Sequence, residues 1–91
     1  MTAATGETFL CTGRVVRDDA TPVVGALAAV GWGTAPTPEI AIRTDADGQF
    51  RVALPNGRFR LDARAPDGAT GSTELSIANA ARAFQIVVRP R

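Results

Sequence analysis

Residues 58–64 alternate without a break: Phe59, Leu61 and Ala63 are apolar, while Arg58, Arg60, Asp62 and Arg64 are charged. A period of two puts successive side chains on opposite faces of an extended strand, so one face is buried and the other wet. A strand of this kind cannot stand alone; it needs hydrogen-bonded neighbours and a second layer to cover its apolar face. The rest of the chain repeats the pattern. Short apolar runs are separated by Gly, Pro, Asn and Asp, and nothing holds a helical period over three turns. The nearest approach, Ile77 to Ala83, reads as a connection.

Seven strands are expected: Thr8–Arg17, Ala26–Trp32, Glu39–Thr44, Gln49–Leu54, Arg58–Arg64, Gly71–Ile77 and Ala83–Arg89. Pro36 and Pro38 interrupt pairing before the third. Asp45-Ala-Asp-Gly48 is a strong turn signal, and Pro55-Asn-Gly57 predicts a tight hairpin in which Asn-Gly supplies positive φ. The expected fold is all-β, a seven-stranded Greek-key sandwich of immunoglobulin-like or prealbumin-like type. Its core is expected to hold Phe9, Cys11, Val15, Ala26, Ala28, Val30, Ile40, Ile42, Phe50, Val52, Leu54, Phe59, Leu61, Leu75, Ile77, Phe84, Ile86 and Val88. The 91 residues amount to one domain, ordered over about residues 8–89, with no room for a deep cleft between lobes.

The missing residue types narrow the chemistry. There is no His, Lys or Tyr, and Cys11 is the one cysteine. The commonest general base near neutral pH, lysine nucleophiles, a cysteine–histidine zinc site and an intrachain disulfide are thereby removed. No catalytic, metal-binding or cofactor-binding residue is expected. A net charge of +1 gives no basic field for nucleic acid. No segment approaches the roughly 18 apolar residues of a membrane span, and the start lacks the pattern of a signal peptide. A cytoplasmic location and no membrane insertion are the expectations.

Gly13–Val15 with Pro22–Ala26, then Thr44–Phe50, then Leu54–Leu61, in this order, resemble the carboxypeptidase regulatory-like domain, within the broad transthyretin-like and Cna-B-like group of β-sandwiches. Gly13-Arg-Val15 followed by Pro22-Val-Val-Gly-Ala26 is similar to the family's opening strand, turn and second-strand start. Thr44-Asp-Ala-Asp-Gly-Gln-Phe50 resembles its "Thr-Asp-x-x-Gly-x-Phe" motif, and Leu54-Pro-Asn-Gly-Arg-Phe-Arg-Leu61 its "Pro-x-Gly-x-Tyr-x-Leu" hairpin, with Phe59 at the aromatic position. Together they cover about residues 13–65. The resemblance implies a non-catalytic module that aids folding, stability or contacts. Physically the motifs make a scaffold, with Phe50 and Phe59 expected to fill the core from paired strands. Two departures matter. Relatives that hydrolyse 5-hydroxyisourate rely on histidines, and Cna-B isopeptide bonds need Lys; this chain has neither.

Several residues invite a sharper reading. Asp45 and Asp47 begin like a calcium loop, but an Asx turn leading into a strand explains them without further ligands. Asp45 with Asp47, or Asp18 with Asp19, would need a cleft between them to act as a glycosidase pair. Cys11 shares the parity of Phe9 and reads as core. Trp32, the one tryptophan, shares parity with Ala28 and Val30, which favours a cap on the core over an exposed anchor. Arg43, Arg51, Arg58, Arg60 and Arg64 point outward from strands expected to be neighbours, either as a solvated face or as a stripe for an acidic partner. With Trp32 they are the candidate partner contacts. The leading expectation is an accessory module making protein–protein contacts or serving as a subunit of an assembly, with oligomerisation left open. The alternative is a small ligand- or carbohydrate-binding module using Trp32 and the Gly33–Glu39 loop.

Overall fold

The computed structural model describes residues 7–37 and 41–90. Seven strands form two sheets: β1 (Phe9–Arg17), β2 (Leu27–Gly33), β3 (Ile42–Arg43), β4 (Gln49–Leu54), β5 (Gly57–Arg64), β6 (Thr70–Ile77) and β7 (Ala83–Val88). Among the described residues there is no helix. Sheet A has the order β4-β1-β7, and sheet B the order β3-β2-β5-β6. All pairs are antiparallel except β1 with β7, which run parallel from Thr12↔Ala83 to Arg17↔Val88.

The alternation in β5 does what it predicts. Phe59, Leu61 and Ala63 are buried, while Arg58, Arg60 and Arg64 are exposed. Their inward side chains share one core with Cys11 and Val15 of β1, Phe50 and Leu54 of β4, and Ile86 and Val88 of β7. The two sheets thus face each other across a common apolar layer, a sandwich-like arrangement. The Phe50 and Phe84 rings meet edge to face, centroids 5.6 Å apart. Phe9, Val30, Ile42, Val52 and Phe84 are half-buried at the margin of the core. Ile40 lies outside the described residues, as do Glu39 of the expected third strand and Pro38 before it.

The turns and connections add to the core what alternation did not indicate. Val16 and Val23 are buried, as are Ala65 and Ala69, which flank the turn between β5 and β6. Val15 and Val16 are neighbours on opposite faces, yet both are covered; Val16 forms a bridge with Pro22 where the chain folds back. The seventh strand ends at Val88, and Arg89 instead exchanges two backbone hydrogen bonds with Thr70, joining the two sheets along one side.

Pro55-Asn-Gly57 is not a hairpin. β4 pairs with β1 and β5 pairs with β2 and β6, so this connection carries the chain from one sheet to the other. Phe50 and Phe59 therefore enter the shared core from different sheets rather than from paired strands. A two-residue hairpin of the favoured kind needs positive φ at both turn residues, and Asn56 does not adopt it. Its amide is used elsewhere: Oδ1 accepts from the Asn79 backbone N–H at 2.7 Å, and Nδ2 donates to Asn79 Oδ1 at 2.9 Å.

Thr44 is the one buried polar side chain among the described residues, at 4% exposure. Its Oγ1 accepts from the Ala26 N–H at 2.8 Å and donates to the Val23 carbonyl at 2.6 Å. Its backbone donates to Ala26 O and accepts from Gly25 N–H. Thr44 thereby fixes the entry to β2 against the exit from β3. Immediately after it, Asp45 Oδ1 accepts from the Asp47 and Gln49 amides, each at 2.9 Å, closing the turn into β4. Gly48 in that turn has φ +75°, and a Cβ there would lie 2.6 Å from the Val15 carbonyl oxygen.

Candidate functional site

The outer side of sheet B carries the residues that best fit a recognition role. The decisive local feature is a bulge in β2. Val30 pairs with Leu61, but the next pair along is Trp32 with Arg60, so Gly31 is an extra residue in the ladder. One inserted residue reverses the parity of everything after it. Trp32 therefore leaves the inward series of Ala28 and Val30 and joins the outward series of Arg60. It is 51% exposed, which corrects the expectation of a core cap. Glycine suits the position: a Cβ on residue 31 would collide with the Asp62 carboxylate.

The register assembles the face in rows. Arg43, Leu27, Arg64 and Thr70 lie side by side across the four strands. Ala29, Asp62 and Ser72 form the next row, then Trp32, Arg60 and Glu74, and finally Arg58 and Ser76. Arg60 grips Asp62 with both ends of its guanidinium fork, Nε to Oδ1 at 3.0 Å and Nη2 to Oδ2 at 3.3 Å. In so exposed a pair the gain is orientation more than stability. Beside Trp32, a hollow of about 250 Å³ is bordered by Arg58, Glu74 and Ser76. Towards the other end, a wide depression of about 490 Å³ is floored by Ala29, Gly71 and Ser72 and edged by Leu27 and Arg64.

Four of the five arginines expected to form a stripe, Arg43, Arg58, Arg60 and Arg64, thus share one face with Trp32. Arg51 does not. It lies on β4 in the other sheet, opposite Thr12 of β1. Alternation shows that an arginine points outward; it cannot show from which sheet. Leu27, 41% exposed, was not among the expected contacts. Its signal was present, as a large apolar side chain with parity opposite to Ala28.

The remaining candidates are tied up in structure. Cys11 is fully buried, with Sγ donating to the Phe9 carbonyl at 3.4 Å. Asp45 and Asp47 occupy a single turn, and the Asp45 carboxylate is engaged by two amides. Asp19 accepts from the Thr21 amide at 3.0 Å, and hydrogen bonding to Thr21 holds its carboxyl below the usual range. Asp67 is lowered in the same way by the Ala69 amide, with Arg17 at 3.1 Å adding to the effect. Among the described residues, no three acidic or cysteine side chains gather as a metal site would require. The start of the Gly33–Glu39 loop is pinned to β5, where Thr34 Oγ1 accepts from the Arg58 N–H at 2.9 Å. No helix is long and apolar enough to cross a membrane among the described residues.

Compared with protein families and with curated proteins, the sequence matches no family model and no individual protein.

Proposed function

We propose that this chain is a non-catalytic accessory module that makes protein–protein contacts as part of a larger assembly, docking through the outer face of sheet B. The observation that carries this reading is Trp32, turned out of the core by the Gly31 bulge and half exposed among arginines. Tryptophan and arginine are the side chains most enriched at the energetic centres of interfaces. A tryptophan left half in water gives folding less than one packed in the core would. The absence of His and Lys and the burial of the one cysteine support a role without catalysis. The motifs over residues 13–65 support assignment to the carboxypeptidase regulatory-like type, with a Greek-key, immunoglobulin-like or prealbumin-like arrangement of the strands.

The test is affinity capture with the tagged chain and two single variants. A stoichiometric partner lost with Trp32→Ala but retained with Arg51→Ala, on the opposite sheet, is the expected result. Capture that Trp32→Ala leaves unchanged would move the contact off this face. A second reading, a carbohydrate-binding module, is favoured by the hollow beside Trp32, where Arg58, Glu74 and Ser76 could bond sugar hydroxyls. Quenching of Trp32 fluorescence across a glycan panel tests it, and no response to any glycan would remove it.

A further inference from the structure

We propose that the partner segment received by the outer face of sheet B is acidic and carries two apolar side chains about 13 Å apart, a spacing of four strand residues at ~3.3 Å each. This rests on the docking role proposed above and names the partner's chemistry. The apolar spacing comes from Leu27 and Trp32, which pair with Arg64 and Arg60, four residues apart on β5. Between them the small residues Ala29, Gly71 and Ser72 leave a depression rather than a ridge.

The charge comes from the arginines. Arg43, Arg58, Arg60 and Arg64 share the face with two carboxylates, Asp62 and Glu74. Arg60 is satisfied by Asp62, but among the described residues Arg43, Arg58 and Arg64 have no carboxylate at ion-pair distance. A partner with carboxylates opposite these three complements the face, and one with cations is repelled.

The same charges argue against the other occupants. A second copy would bring like charge: its own sheet B face carries an excess of arginine, and the strands of sheet A bear Arg14, Arg17 and Arg51 with no acidic residue. Single-stranded nucleic acid presents a phosphate at every nucleotide and favours a series of aromatic platforms. Here there is one tryptophan, and the face is interrupted by Asp62 on an inner strand and Glu74 on the edge strand.

The experiment pans the full chain against a display library of random short peptides, in parallel with Trp32→Ala and an Arg58→Glu/Arg64→Glu double variant. Circular dichroism confirms that each variant is folded. The expected result is enrichment of acidic peptides with a spaced apolar pair. Binding of a synthesised example should weaken about thirtyfold with Trp32→Ala, as for an interface anchor. It should weaken about tenfold with the double charge reversal and recover when the peptide's acidic residues are replaced by lysine. Enrichment of neutral or basic peptides that still depend on Trp32 would overturn the acidic partner while leaving the docking face standing. Peptides indifferent to both variants, or no enrichment at all, would sink the docking face as well. An oligothymidylate that binds more tightly than the best peptide would reassign the face to single-stranded nucleic acid.

Discussion

Replacing Thr44 by valine removes one oxygen and almost nothing else, because the two side chains have nearly the same shape. In the folded protein that oxygen bonds two buried backbone groups, the Ala26 N–H and the Val23 carbonyl. Leaving a buried donor or acceptor unsatisfied costs about 1–3 kcal/mol each, with carbonyls at the lower end. The pair then costs about 2–4 kcal/mol, and the extra buried methyl offsets under about 1 kcal/mol of it. The net loss of about 2–3 kcal/mol is a large share of the ~5–14 kcal/mol expected for a domain this size. The melting temperature should fall by about 10–20 °C. Thr44→Ser is the informative control. It keeps the hydroxyl and loses a methyl, for about 1 kcal/mol. Urea unfolding followed by far-ultraviolet circular dichroism measures both, since the exposed Trp32 makes a weak fluorescence reporter of folding. If Thr44→Val proves as stable as Thr44→Ser, the hydroxyl is not the latch described here.

Other outcomes follow from the same geometry. Trp32→Ala should cost about 1–2 kcal/mol, because only half of the side chain is covered, whereas Leu61→Ala in the core should cost about 2–5 kcal/mol; the two denaturation midpoints compare them directly. Gly48→Ala should destabilise by about 1–3 kcal/mol through its positive φ alone, and by more through the clash with the Val15 carbonyl. Asp67 is held below the usual carboxylate value of 3.8 in the folded protein, so its contribution is present above that pH and is lost as pH falls through the lowered value. Asp67→Asn should therefore flatten the acid limb of a stability–pH profile below about pH 4 and leave its slope at neutral pH unchanged.

The sequence made plain whatever depends on neighbours along the chain. The alternation of residues 58–64 gave β5 its buried and wet faces, and Asp45-x-Asp47-Gly48 gave a turn built from side-chain-to-amide bonds. What it hid depends on contacts between distant segments. Asn56-Gly57 has the chemistry of a hairpin, but local chemistry does not say which strand β4 will pair with, and β1 offers it six successive partners. The parity argument for Trp32 failed because a bulge inserts one residue, and a lone glycine in a strand is only a weak sign of that. Arg51 was grouped with the other arginines because outward parity is a property of one strand, whereas a shared face is a property of a sheet. Thr44 stood inside a turn motif, and its buried hydroxyl served the segment at Val23 and Ala26, far back in the chain.

The parallel pairing of β1 with β7 also decides how the domain would bear load. The segments leading into Phe9 and out of Val88 leave from opposite ends of this strand pair. Tension applied through them pulls β1 and β7 in opposite directions along their own axes. The six rungs from Thr12↔Ala83 to Arg17↔Val88 are then sheared together instead of being unzipped one at a time. Pulled in line between neighbours, such a module would resist extension until the whole ladder fails at once. Pulled through β4 at the edge of the same sheet, perpendicular to its strands, it would peel open at much lower force.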